Sequence, residues 1–179
     1  MISESDVTVH ALWNQDLESA GHDIALIRLP SLAQTASEDF RLRVAPICLS
    51  PHPPRTHMEV VGWGRSNRPD SVTGTFSKFG FYERILQKLS VPELSVGECE
   101  LQYQRPLWPA YVCAGGVPGQ DSCNGDSGGP LVGRYETEGT MYLSGVVSFG
   151  TPTCGIGFPG VYTNLEEYLP WIKTHLKAE

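Results

Sequence analysis

Nowhere in the 179 residues is there an apolar run of about 18, which excludes a membrane-spanning helix. Basic residues are scarce. Lys and Arg number 13 against 20 Asp and Glu, for a net charge of −7, and no basic cluster stands out; a nucleic-acid surface is excluded, because phosphate contacts need concentrated positive charge. Neither a Cys-x-x-Cys pair nor paired His spacing occurs, so a zinc site is disfavoured, and no cofactor is expected. Internal repeats and low-complexity tracts are missing too. The opening Met1-Ile2-Ser3-Glu4-Ser5-Asp6 has neither the basic start nor the apolar core of a signal peptide, which by itself points to the cytosol.

The five cysteines point the other way. Pairing Cys99 with Cys113 would enclose 13 residues, and Cys123 with Cys154 would enclose 30; such disulfides are worth about 3 to 4 kcal/mol each in the chain-entropy account. Cys48 is then left over, implying a partner outside the chain in view. The alternative is five reduced cysteines in a cytosolic core. Hydrophobic residues at 40% suit a sizeable core, and 19 Gly with 14 Pro favour short strands and many turns, hence an all-β fold.

Strand-like segments are 7–10 and 23–29, the second apolar enough to be buried on both faces and stopped by Pro30. The Pro-rich connector Pro51-His52-Pro53-Pro54 sets a boundary between residues 1–50 and a longer unit, 51–165. In the longer unit strands are expected at 58–63, 85–91, 111–114, 130–135, 141–149 and 160–163, a spacing that suits a closed antiparallel barrel. Residues 65–80 read as a long surface loop. A terminal helix is expected from Glu166 to Lys177 within 166–179, with Leu169, Ile172, Lys173 and Leu176 on one face, Pro170 in its first turn and His175 solvated.

The chemistry concentrates in the run from Asp121 to Pro130, Asp-Ser-Cys-Asn-Gly-Asp-Ser-Gly-Gly-Pro. A serine hydroxyl becomes a nucleophile when a base takes its proton, and the resulting oxyanion needs preorganised donors. Gly125, Gly128 and Gly129 permit unusual φ angles and close substrate approach, so the N–H groups of Gly125 and Ser127 could converge on one oxygen. A plain Gly-rich turn is the alternative. An α/β-hydrolase elbow would use Ser127, then Glu166 or Glu167, then His175. It requires a helix straight after the serine, where this chain has Gly128-Gly129-Pro130 and strand-like Leu131-Val132.

The order histidine, acid, serine fits better. At Asp23-Ile24-Ala25-Leu26 and Gly125-Asp126-Ser127-Gly128-Gly129-Pro130 the chain closely resembles the chymotrypsin/trypsin family of serine endopeptidases. Val60-Val61-Gly62-Trp63-Gly64, Val112-Cys113-Ala114-Gly115, Val147-Ser148-Phe149-Gly150, Pro159-Gly160-Val161-Tyr162-Thr163 and Tyr168-Leu169-Pro170-Trp171-Ile172 are similar to the family as well. The resemblance implies a double antiparallel β-barrel and cleavage after Arg or Lys in a protein or peptide substrate. It makes Ser127 the nucleophile, Asp23 the acid that orients a histidine, and Gly125 and Ser127 the oxyanion donors. Asp121 becomes the carboxylate at the base of the specificity pocket, with Ser122, Ser148, Gly150 and Gly160 around the bound side chain. Asp126 becomes a latch that receives a new N-terminal ammonium on activation, and Cys99–Cys113 and Cys123–Cys154 become disulfides. Cys48 becomes the link to a propeptide or other N-terminal segment.

The departures are specific. Nothing before Asp23 resembles the family's Ala-Ala-His-Cys run; His10 lacks a following cysteine, and His22, adjacent to Asp23, would point away from it on a strand. The first barrel is therefore expected to be mostly missing. Residues 1–50 form a remnant with exposed apolar faces and poor solubility, and the chain is inert without its base. Three readings follow: an incomplete copy of a secreted, extracellular zymogen; a non-catalytic homologue that binds partners as an adaptor; or a natural short isoform.

Overall fold

Alternation of apolar and polar residues builds the strands, and a computed structural model shows how they close. It describes residues 2–14, 21–30, 45–49, 58–66, 80–135 and 139–176. Strand β1 is Val7–Val9, β2 Ala25–Ile27, β3 Cys48–Leu49, β4 Met58–Gly62, β5 Arg65–Ser66 and β6 Phe81–Tyr82. They are followed by β7 Gln87–Val91, β8 Glu93–Leu94, helix α1 Val96–Tyr103, β9 Tyr111–Gly115, β10 Pro130–Arg134, β11 Met141–Phe149, β12 Pro159–Asn164 and helix α2 Leu165–Leu176. The main sheet runs β7-β4-β10-β11-β12-β9-β8, antiparallel along this path, and β3 adds a short parallel pairing to β11.

Its two ends, β7 and β8, are one stretch of chain interrupted at Pro92, whose carbonyl accepts the Gly115 N–H at 2.8 Å. Proline has no N–H to give a ladder, so the strand bends there and the sheet closes on itself. Met58, Val60, Val91, Val112, Ala114, Leu131, Val147 and Tyr162 fill the interior. Burial of each Val, Leu or Met side chain among them stabilises the barrel by about 1.5–3 kcal/mol. The barrel expected from the sequence is present with these strands. Residues 65–66 are strand β5, paired with β6, rather than loop; residues 67–79 and the connector 51–54 lie outside the described residues.

The segment 23–29 departs from expectation. Only 25–27 is strand, it pairs with β1 (Val7 opposite Ile27), and Ala25 and Ile27 are exposed rather than buried. One face alone is covered, because Leu26 packs against Leu165, Tyr168 and Ile172, while Val9, Ile27 and Leu29 stay more than half exposed. Helix α2 differs too. It buries Leu165, Tyr168, Leu169 and Ile172, the i, i+3, i+4, i+7 stripe, and leaves Lys173 and Leu176 outside. Starting one residue earlier than expected, it places Pro170 beyond the first turn. The lost backbone bond is offset by that buried stripe. His175 is half-buried, with Nδ1 2.8 Å from the Trp171 carbonyl, rather than solvated.

Helix α1 opens on a capping box: Ser95 Oγ accepts the Glu98 N–H at 3.3 Å and Glu98 Oε2 accepts the Ser95 N–H at 2.9 Å. Cys99, its one buried residue, is disulfide-bonded to Cys113 on β9. That bond holds a helix of low amphipathicity onto the barrel, where Leu107, Tyr111 and Val161 surround it. Replacing both cysteines by alanine is expected to lower stability by about 3 kcal/mol, read from the urea midpoint, the worth of closing a loop this short. Cys123–Cys154 is the second disulfide, and Cys48 is free and exposed on β3.

Candidate active site

Backbone hydrogen bonds shape the run before β10. The Asp126 N–H donates to the Cys123 carbonyl at 2.9 Å and the Gly129 N–H to the Asp126 carbonyl at 2.8 Å, two consecutive tight turns. They demand φ of +96° at Gly125 and +77° at Gly128, the left-handed region that glycine enters without strain. The run is then tied to β11: Gly128 N–H donates to the Val147 carbonyl, and Val147 N–H to that of Gly129, both at 2.9 Å. Ser127 emerges exposed between these anchors.

The next residue of β11 reaches the acid. Ser148 Oγ donates to Asp23 Oδ2 at 2.6 Å, and Thr163 Oγ1 on β12 donates to the Asp23 carbonyl oxygen at 2.7 Å. Ser127, Ser148, Gly150, Ser122, Cys123 and Cys154 line one open cleft of about 350 Å³. A Cβ at Gly150 would meet nothing within 4 Å, so the cleft wall there is backbone with free space in front. Gly160 is buried instead; a Cβ on it would sit 3.0 Å from the Tyr162 hydroxyl and 3.2 Å from Ser122 Oγ. Those two oxygens are 3.3 Å apart. Burial pushes the Tyr162 phenol up to about 12, with the Asp121 and Asp126 charges adding to the rise and the Ser122 hydroxyl opposing it.

Asp121 does not line the cleft that holds Ser127. It borders a smaller one, of about 90 Å³, together with Asp126, Gly62, Gly64 and Lys88. Its Oδ2 accepts the Gly155 N–H at 3.0 Å. Burial raises its pKa above the usual carboxylate value, backbone N–H groups of Gly155 and Ser122 oppose the rise, and the Asp126 charge adds to it. Tyr103 lies in the field of Asp121, and burial foremost lifts it to about 12. The Asp126 carboxylate is fully engaged, Oδ1 by the Gly64 N–H at 2.7 Å and Oδ2 by the Cys123 N–H at 3.0 Å. A Cβ at Gly62 or Gly64 would run into it, which explains glycine at both positions.

Among the described residues, His10 and His22 stand apart from this cluster. His22 is in a left-handed turn, φ +65°, and not on a strand; its ring stacks on His10 with centroids 4.5 Å apart. Neither imidazole bonds to Asp23 or Ser127. Sequence reasoning missed the anchoring roles of Thr163 and of the Ser148 hydroxyl, contacts spanning 140 and 125 residues that no local pattern encodes. Among the described residues no group of three His, Cys, Asp or Glu could hold a metal ion.

The family model "Trypsin" matches residues 2–172. The phenoloxidase-activating enzyme of Bombyx mori is 41% identical over 171 residues, covering 87% of this chain and 36% of that protein. The CLIP domain-containing serine protease B8 of Anopheles gambiae is 35% identical over 183 residues, covering 96% and 43%. Trypsin-1 of Astacus astacus is 36% identical over 179 residues, covering 97% of this chain and 67% of the relative. The chain thus spans less than half the length of the two insect relatives.

Proposed function

The chain belongs to the trypsin family of serine proteases, and from that premise we propose that it carries the nucleophile and acid of a trypsin-like endopeptidase whose base lies outside it. One observation carries the reading: the loop of Ser127 and the carboxylate of Asp23 hang from consecutive residues of β11, Val147 and Ser148. In a complete site Ser127 Oγ attacks the scissile carbonyl carbon and passes its proton to an imidazole supplied from upstream. Asp23 stabilises the imidazolium, and the N–H groups of Gly125 and Ser127 hold the oxyanion. The imidazolium then protonates the leaving amine, and water releases the acyl group by the reverse sequence.

Asp121 selects Arg or Lys before the scissile bond, with Ser122, Ser148, Gly150 and Gly160 shaping the way in. Asp126 is the latch; its present bonds to Gly64 and Cys123 are those a new ammonium terminus would replace. Residues 1–50 are the remnant of a first barrel, 51–165 the second barrel and 166–179 the C-terminal unit, in which α2 runs to Leu176. Two disulfides support an extracellular setting, and the free, exposed state of Cys48 supports its reading as the link to an N-terminal segment or propeptide.

The test is an arginyl ester. An extended protein with an upstream histidine-bearing segment should hydrolyse it, and the 179-residue chain should be slower by about 10⁶, the cost of losing a triad base. Equal rates would overturn the reading. The adaptor reading is favoured by the engagement of both described upstream imidazoles with each other; it requires the extended protein to be inert as well.

A further inference from the structure

A cluster outside the cleft holds the backbone on which Asp23 sits. Gly21 and His22 both have positive φ, +80° and +65°. Glycine accepts this freely, but at histidine it is an uncommon conformation that the surroundings must hold in place. The support comes from Tyr168, buried on α2. Its hydroxyl accepts the His22 backbone N–H at 3.0 Å and lies 3.2 Å from His22 Nδ1. One hydroxyl oxygen thus meets both the backbone and the ring of His22. The His22 carbonyl in turn accepts the Ile24 N–H at 2.8 Å, completing a turn that brackets Asp23.

We propose that Tyr168 and His22 are positioning residues for Asp23: the tyrosine hydroxyl clamps the left-handed turn from both its backbone and its ring, and so aims the Asp23 carboxylate at Ser148. The assignment of Asp23 as the acid rests on the function proposed above; the clamp itself does not.

The charged and titratable neighbours are His10, stacked on His22; His175, which reaches His10 across Trp171; and Asp23 and Glu167, both in the field of Tyr168. His10 is itself held below the usual imidazole range, by burial first and then by the charges of His22 and His175.

Hydrogen exchange followed by mass spectrometry on the 179-residue chain, at low micromolar concentration, tests this without requiring catalysis. Protection is compared for residues 21–24 and, as a folding control, for strand 111–115. Tyr168→Phe should speed exchange at 21–24 by about fivefold at neutral pH, the loss expected of one ordinary hydrogen bond, with 111–115 unchanged. His22→Ala, which strains the left-handed turn and lacks the ring contact, should speed exchange there as well, and His22→Asn, which tolerates that turn, should speed it less. Undiminished protection at 21–24 in Tyr168→Phe overturns the proposal, as does equal loss in His22→Asn and His22→Ala. If Tyr168→Phe loses the control strand too, the two His22 variants decide. Failure of the endopeptidase reading would leave these exchange rates untouched and would appear only in the ester assay.

Discussion

Ser127→Ala in the extended, activated protein should reduce hydrolysis of an arginyl ester by about 10⁶, to the level of the chain without its base. The expectation is so large because the acid, the base and the nucleophile act as one unit, and what survives any single loss is the contribution of binding and the oxyanion donors. The substitution removes one exposed oxygen. The φ angles that shape the run belong to Gly125 and Gly128, and its ties to β11 are made by backbone atoms of Gly128 and Gly129. Alanine disturbs none of these, so the thermal midpoint should stay within about a degree or two, as for surface substitutions generally. A variant that keeps more than about a thousandth of the rate would show that Ser127 is not the nucleophile. One that loses both rate and midpoint would show that the hydroxyl has a structural partner.

The sequence revealed much more of the barrel than of the anchoring around the site, and the reason is physical. Strands β4, β11 and β12 announce themselves by β-branched and aromatic residues, a local signal that burial reinforces. Helix α1 had only a local capping signal, Ser95 with Glu98, and a weak apolar stripe; its place is fixed by the Cys99–Cys113 bond, so periodicity alone passed over it. The spacing puts Lys173 and Leu176 on one face of α2 with Leu169 and Ile172. Leu165 and Tyr168, one turn earlier, won the buried positions because Ile24 and Ala110 pack there. Within the site, Ser127 and its glycines were legible because the turns demand those residue types. The bonds from Ser148 and Thr163 to Asp23 join distant parts of the chain, and only the closed sheet brings them together.

Asp121→Asn provides the sharpest separation of function from folding. The change is isosteric, so the amide oxygen can still accept the Gly155 N–H that Oδ2 now takes at 3.0 Å. What is lost is the negative charge. A site that recognises a cation through a desolvated carboxylate should lose its preference for arginyl over neutral esters by about 10⁴-fold, as sites built around one buried polar contact do. Stability should move the other way. Burial raises the Asp121 pKa in the folded chain, so the folded state disfavours its ionised form. Stability is then complete below the unfolded carboxylate value of about 3.9 and is partly lost as pH rises through the raised folded value. Asparagine removes that loss, so the urea midpoint near pH 7 should equal or exceed that of the wild type, and the difference should vanish at low pH. Retained arginyl preference would refute the pocket assignment. A lower midpoint at neutral pH would mean that the ionised carboxylate serves the fold, and its place beside Asp126 in the smaller cleft would then be structural rather than selective.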